Sequence, residues 1–216
     1  MKYAAALFDL DGTLLNTLAD LTDSMNVALC SLGCPPRTAD ECRFFVGDGT
    51  RNYALRSLPE DRRDDATVGR CVELMRAHYQ DHWADKTRPY EGIPEMLAEL
   101  AAAGLRLAVL SNKPDDFTTA TVRHFFDDGT FEIVRGALPA VPLKPHPAGA
   151  KAIASQLDIS PEQFLYLGDT NTDMQTARAA GMFAVGALWG FRPAEELAAH
   201  GAQKLIEHPR EILKLL

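Results

Sequence analysis

The chain is poor in the features that mark proteins of membranes, of oxidising compartments or of nucleic-acid complexes. No stretch reaches the ~18 consecutive apolar residues that a membrane-crossing helix requires. The opening run from Met1 to Leu10 is short, ends in Asp9 and Leu10 and has no cleavage-type segment behind it, so it reads as a buried strand and not as a signal peptide. There are four cysteines, Cys30, Cys34, Cys42 and Cys71, without a C-x-x-C pair. Reduced, mostly buried thiols are expected; Cys30 and Cys34 lie one helical turn apart but lack the two further ligands of a structural zinc site. Basic residues are the minority, 22 Lys plus Arg against 30 Asp plus Glu for a net charge of -8, so the stripe that would neutralise a phosphate backbone is missing. These absences exclude a membrane and a nucleic acid as partners and leave a cytoplasmic location and a small-molecule partner. An anionic one would need a local cationic pocket, because the overall field repels it.

What is present fits an ordinary globular chain: 216 residues, 46% hydrophobic and 24% charged, enough for one to two domains. Apolar runs of strand length lie at Tyr3 to Phe8, Leu105 to Leu110, Phe131 to Val134, Phe164 to Leu167, Phe183 to Leu188 and Lys204 to Ile206. Most alternate with helical spacing, at Ile93 to Ala103, Phe117 to Phe126, Pro147 to Leu157, Thr172 to Ala180 and Pro193 to His200. The pattern predicts an α/β fold, a doubly wound, Rossmann-like parallel sheet. One connection breaks it. Between Asp9 and Leu105 no convincing strand occurs, and structureless loops beyond about 15 residues are uncommon. Leu18, Leu21, Met25, Ala28, Leu29 and Leu32 have helical spacing, as do Val68, Cys71, Val72, Met75 and Tyr79. The expected organisation is a core of residues 1–15 and 90–216 interrupted by a helical domain of residues 16–89. In open parallel sheets ligands sit beyond the carboxyl ends of the strands, which directs attention to the residues found there.

Asp9-Leu10-Asp11-Gly12-Thr13 follows the first run. Residues two apart in an extended segment share a side, so Asp9 and Asp11 bring two carboxylates together; like charges so close call for a divalent metal, a shared proton or both, unless the pair merely caps a turn. Ser111, Asn112 and Lys113 follow the second run, where a hydroxyl and an amide can bond anionic oxygens or simply terminate a strand. Lys144 stands before Pro145, His146 and Pro147, whose rigid backbone lowers the entropy cost of holding an ammonium in place. Gly168-Asp169-Thr170 and Asp173 follow the fourth run, placing two acids at the start of a helix as caps or as metal ligands. Taken together, four acids, a hydroxyl and amide pair and a lysine at neighbouring strand ends describe an oxygen-ligated Mg²⁺ facing a phosphoryl group.

In this order the segments resemble the four motifs of the haloacid dehalogenase superfamily, and the helical insertion resembles the cap of its cap-bearing branch. The resemblance implies a Mg²⁺-dependent phosphomonoester hydrolase. Asp9 would be the nucleophile that forms an aspartyl-phosphate, and Asp11 the acid and base. Asp9, Asp11 (through its main-chain carbonyl), Asp169 and Asp173 would serve the metal; Thr13, Ser111, Asn112 and Lys144 would hold the phosphoryl group, Lys144 also offsetting the charge of Asp9. A second aspartate at position 11 disfavours dehalogenation and phosphonate hydrolysis. The segment Val46-Gly47-Asp48-Gly49-Thr50-Arg51 resembles the cap loop of phosphoglycolate phosphatases, which implies a substrate contact by Gly47, Asp48 and Gly49 and an Arg51 pairing with a substrate carboxylate. The expected substrate is 2-phosphoglycolate or a similar small phosphorylated metabolite, handled by a monomer or homodimer. Alternatives within the superfamily are a pyrophosphatase, a sugar-phosphate phosphatase or a phosphomutase. A phospho-aspartate receiver domain is a distant one, because receivers are shorter and have no insertion.

Other features of the sequence suggest no role. His78 and His82 share a helix face but lack a third ligand, so solvated or interhelical histidines are expected. Trp83 and Trp189 are expected in a core or between domains, and Gly186, Gly190 and Arg192 are left unassigned.

Overall fold

The computed structural model describes residues 2–216. The chain enters the sheet with β1 (Ala5–Phe8), makes a short β2 (Leu15–Asn16) and runs through four helices, α1 (Leu18–Ser31), α2 (Ala39–Phe45), α3 (Thr50–Ser57) and α4 (Asp65–His82). It returns through β3 (Arg88–Pro89) and then alternates: α5 (Ile93–Ala102), β4 (Arg106–Pro114), α6 (Asp115–Phe125), β5 (Ile133–Ala137), α7 (Ala148–Gln156), β6 (Phe164–Gly168), α8 (Asn171–Ala180), β7 (Phe183–Ala187), α9 (Ala194–Ala199) and β8 (Lys204–Ile206). Six strands form one parallel sheet in the order β5-β4-β1-β6-β7-β8. The α/β class read from the alternation is the class observed.

Both faces of the sheet are covered, which explains why β1 is apolar at every position instead of alternating. Ala6 and Phe8 face a core completed by Ile93, Met96 and Leu100 of α5, while Ala5 and Leu7 face a second one completed by Ile153 of α7 and Met174 and Ala177 of α8. β1 sits in the centre with β4 and β6 as neighbours, so three strand ends open onto one place. β4 runs farther than its apolar run, through Ser111, Asn112 and Lys113, all three buried. Hydropathy ends the strand where its side chains become polar, whereas the backbone continues, with an irregular register against β5 between Leu110 and Pro114.

The helices α1 to α4 build a third core from Met25, Leu29, Cys42, Tyr53, Val68, Cys71 and Met75. Cys34, Cys42 and Cys71 are buried free thiols and Cys30 is exposed. The two passages between this helical insertion and the sheet lie side by side, because β2 and β3 pair antiparallel, Leu15 with Pro89 and Asn16 with Arg88. The buried carboxylate of Asp20 accepts from the main-chain N–H groups of Lys86 and Thr87 and, at 2.7 Å, from the Thr87 hydroxyl, tying the first helix to the returning chain. His78 and His82 stack at 4.2 Å, with Ser24 and Asp85 as their partners. Trp83 packs edge-on against His124 and Phe125 of α6, between the insertion and the sheet half. No helix among the described residues is long and apolar enough to cross a membrane.

Candidate active site

The parallel register of β1 and β6, with Phe8 opposite Leu167, brings Asp9 and Asp169 out of adjacent strand ends. Asp173 joins them from the first turn of α8, where it closes a capping box with Thr170. Oxygens of Asp9, Asp169 and Asp173 all lie within 4.8 Å of one another, and the three residues are 6%, 0% and 0% exposed. Lys144 enters from the loop after β5, with its Nζ 2.8 Å from Asp9 and 2.7 Å from Asp173, and also donates to the Leu110 carbonyl. Asn112 holds that loop in place, accepting from the Lys144 main-chain N–H at 2.8 Å and donating to the Lys144 carbonyl at 3.0 Å. Asp9, Lys144, Asp169 and Asp173 thus converge in one buried cluster, and Asp9, Ser111 and Asn112 line the cleft beside it.

Three buried carboxylates against one buried ammonium leave the cluster short of positive charge. Burial and the neighbouring Asp173 push the Asp9 carboxyl well above the ordinary carboxylate range, Lys144 opposing and Asp169 adding to the effect. Asp169 is pushed up to about 7, by burial first and Asp173 second. Burial works against the Lys144 charge, yet Asp173 and Asp9 outweigh it and keep the ammonium firmly protonated. An all-oxygen donor set that resists ionising alone suits a hard divalent cation such as Mg²⁺. Asp169 is fixed in place: its Oδ1 accepts from the Thr13 hydroxyl and its Oδ2 from the Phe191 N–H, both at 2.8 Å. Gly12 and Gly190 are small for the same reason, since a Cβ on either would fall within 2.3 Å of Asp169 atoms.

Several expected site residues stand elsewhere or do something else. Thr13 is fully buried with its hydroxyl committed to Asp169, so it positions an acid instead of meeting substrate. The Asp11 carboxylate turns away from the acidic cluster and pairs with Lys113, at 2.9 and 3.2 Å. The Asp173 oxygens are taken by Lys144 and Tyr166 on one side and by Thr170 on the other, which leaves Asp173 as the organiser of the cluster. Gly47 and Gly49 do line the cleft, and the Gly47 carbonyl accepts from Asn112 at 3.0 Å. Asp48 instead clamps the insertion to the sheet half, accepting from Thr172 at 2.7 Å and pairing with Arg56. Arg51 points outward to Asp65 at 2.6 Å, with 60% of its side chain exposed. The second position of α3 faces α4 at the surface, and of this segment Val46, the two glycines and Thr50 turn inward.

Two functional groups were not assigned from sequence. Lys113 is buried with its Nζ between Asp11 and, at 2.7 Å, the Tyr79 hydroxyl of α4, so it links the insertion to the acid; the Ser111-Asn112-Lys113 string was the signal available. Arg192 and Arg43 form a reciprocal latch. Arg192 donates to the carbonyls of Arg43, Phe44 and Val46, and Arg43 donates to those of Gly190 and Phe191. A cavity of about 180 Å³ opens between the two halves, with Asp9, Asp11, Ser111 and Asn112 at one end and the insertion forming the opposite wall.

The fold and the cluster define a class. Residues 6–187 match the family model of haloacid dehalogenase-like hydrolases, and the chain belongs to that family. Within it, the chain is 31% identical to an N-acetylmuramic acid 6-phosphate phosphatase of Pseudomonas aeruginosa, over 100% of this chain and 96% of the relative. It is 32% identical to a phosphoglycolate phosphatase of Colwellia psychrerythraea over 96% and 94% of the two chains. Among solved structures, a putative phosphoglycolate phosphatase from Lactobacillus delbrueckii subsp. bulgaricus superposes with a TM-score of 0.93 at 30% identity, covering 100% of this chain and 98% of that one.

Proposed function

We propose that the protein is a Mg²⁺-dependent phosphomonoester hydrolase that works through an aspartyl-phosphate on Asp9, with residues 16–89 serving as its cap. The observation that carries this reading is the placement of Asp9 at the floor of the cleft, held by Lys144 at 2.8 Å beside two further buried acids. Asp9 and Asp169 would hold the metal, together with the main-chain carbonyl of Asp11. Bound there, Mg²⁺ would offset the charge of the phosphoryl oxygens and of the carboxylates themselves.

The residues divide the reaction into two displacements. An Asp9 oxygen attacks phosphorus while the ester P–O bond breaks, and Asp11 relays a proton from the Lys113 ammonium it pairs with to the departing alkoxide. Asp11 then takes a proton from a water whose oxygen attacks the same phosphorus, restoring the Lys113 ammonium, and the bond to Asp9 breaks to release phosphate. Lys144 and Ser111 flank the place where the transferring oxygens gather charge, and Asn112, its amide committed to Lys144 and Gly47, fixes the lysine loop beforehand. Thr13 and Asp173 act at one remove, the first aligning Asp169 and the second aligning Lys144.

The substrate in this reading is a small phosphorylated metabolite. The expectation of 2-phosphoglycolate rested on the resemblance of residues 46–51 to a cap loop; of that segment Gly47 and Gly49 line the cleft and Arg51 faces outward, and the relatives are named for phosphoglycolate and for N-acetylmuramic acid 6-phosphate. The test of the chemistry is independent of that choice. Steady hydrolysis of p-nitrophenyl phosphate is expected with Mg²⁺ and not with a chelator, and Asp9→Asn is expected to lower it by about four orders of magnitude or more. Turnover without any divalent metal, or full activity of Asp9→Asn, would overturn it.

A further inference from the structure

Resting on the phosphatase reading above, we propose that the alcohol released from the ester presents carbon surface to the cap, and that the enzyme selects for this surface and not for a second charge. The cleft that holds Asp9 and Asp11 continues without interruption into the cavity of about 180 Å³. Beyond the phosphoryl end its wall is made by Leu21, Val46, Tyr53, Val72 and Met75 from the insertion and by Phe117 from α6. A two-carbon hydroxy acid would leave that wall in contact with water, which is the costly arrangement for apolar surface.

The cations along the cavity point the same way. Among its described lining residues they are Arg76 and Lys113, and both are already paired, Arg76 with Asp116 and Lys113 with Asp11. To be neutralised, a substrate carboxylate would have to displace Asp11 from the buried Lys113 or compete with Asp116 for the half-exposed Arg76 at the cavity's edge. Two side-chain hydroxyls on the cap side remain, those of Thr50 and Tyr79. The Tyr79 hydroxyl is buried and accepts from Lys113, and its own proton has no acceptor among the described residues. It offers a single hydrogen bond to an ether, carbonyl or hydroxyl oxygen of the alcohol. The substrate class is therefore the phosphate monoester of an alkyl, aryl or acylated alcohol whose apolar part fills the cap wall, with one uncharged acceptor near Tyr79.

The experiment measures kcat/KM with Mg²⁺ for methyl, ethyl, propyl and butyl phosphate, then compares 2-phosphoglycolate with isobutyl phosphate, its uncharged near-isostere. Each added methylene is expected to raise kcat/KM about fourfold until the cavity is full, and isobutyl phosphate to exceed 2-phosphoglycolate. Val72→Asn and Met75→Gln are expected to flatten the chain-length slope, and Tyr79→Phe to lower selectivity for an acceptor-bearing alcohol over its alkyl analogue. Failure of the two readings can be told apart. If neither p-nitrophenyl phosphate nor methyl phosphate is hydrolysed, the phosphatase reading fails. If both are hydrolysed but kcat/KM is flat with chain length, or 2-phosphoglycolate outruns isobutyl phosphate, the phosphatase reading stands and this inference is overturned.

Discussion

The sheet half and the helical insertion spend their polar residues in opposite ways. In the sheet half, Asp9, Lys144, Asp169 and Asp173 are almost wholly removed from water, Lys144 paired with Asp9 and Asp173 and Asp169 held beside them by Thr13 and Phe191. In the insertion the charges of Arg51, Asp65, Arg70 and Glu73 lie on the outside, and what faces the cleft is largely carbon. Buried charges have no alternative partner, so each position in the cluster is dictated by the others. An apolar wall imposes only shape and size, so its members can change with the alcohol to be accommodated while the chemistry stays the same.

This contrast is sharpest at Lys144. Replacing it by Met leaves Asp9 and Asp173 facing each other without their cation, and a loss of about 3–5 kcal/mol in unfolding free energy is expected by urea titration at neutral pH, together with loss of turnover. A loss below about 1 kcal/mol would mean that the cluster is not as tightly interdependent as its distances indicate. Thr13→Val removes one hydrogen bond from Asp169 without touching the cleft. Its expected effect is a 10–100-fold weaker Mg²⁺ affinity, read from the metal dependence of activity; an unchanged affinity would show that Phe191 alone aligns the carboxylate.

The same cluster makes stability depend on pH in a defined direction. Asp169 is raised to about 7 in the folded protein, from an ordinary value near 3.8. Without metal, its contribution to stability is complete below about pH 4 and is lost as the pH rises through about 7, because the folded state gives up a proton that the unfolded state has already released. In the proposed function Mg²⁺ would bind the carboxylate form. The rise in Tm on adding Mg²⁺ is therefore expected to be several degrees larger at about pH 8 than at about pH 5.5, measured by thermal denaturation; an equal or larger rise at the lower pH would contradict it. At the small end, Arg51→Ala removes only an exposed ion pair in the insertion and is expected to change kcat/KM less than twofold and stability by less than about 0.5 kcal/mol. A tenfold rise in KM would put Arg51 back at the substrate.

Much of the sheet half is legible along the chain because its signals are local. Every strand run read from hydropathy has its counterpart in the sheet, and the acids and the lysine follow those runs at the carboxyl ends where a parallel sheet presents them. The insertion is legible as helices but not as a surface. Arg51 illustrates the difference: its glycine-flanked segment carries a local pattern, yet its direction is set by the phase of α3 and by Asp65, fourteen residues on. Lys113 escaped assignment because its partners, Asp11 and Tyr79, are 102 and 34 residues away. The arginine latch joins Arg43 to residues 147 and 148 positions on, and neither side carries a local signal.

By itself, the amino-acid order determined the alternation of strands and helices, the interruption after the first strand, and the residues able to carry metal and phosphoryl chemistry, because each of these depends on a period or a spacing of a few residues. The tertiary structure decided which of those side chains share an ammonium or a wall. It turned Thr13 toward Asp169, Asp11 toward Lys113 and Arg51 toward water, and it set an apolar face opposite the acids. These outcomes depend on where elements distant in sequence come to rest, which follows from the burial of three cores at once and not from any short stretch of the chain.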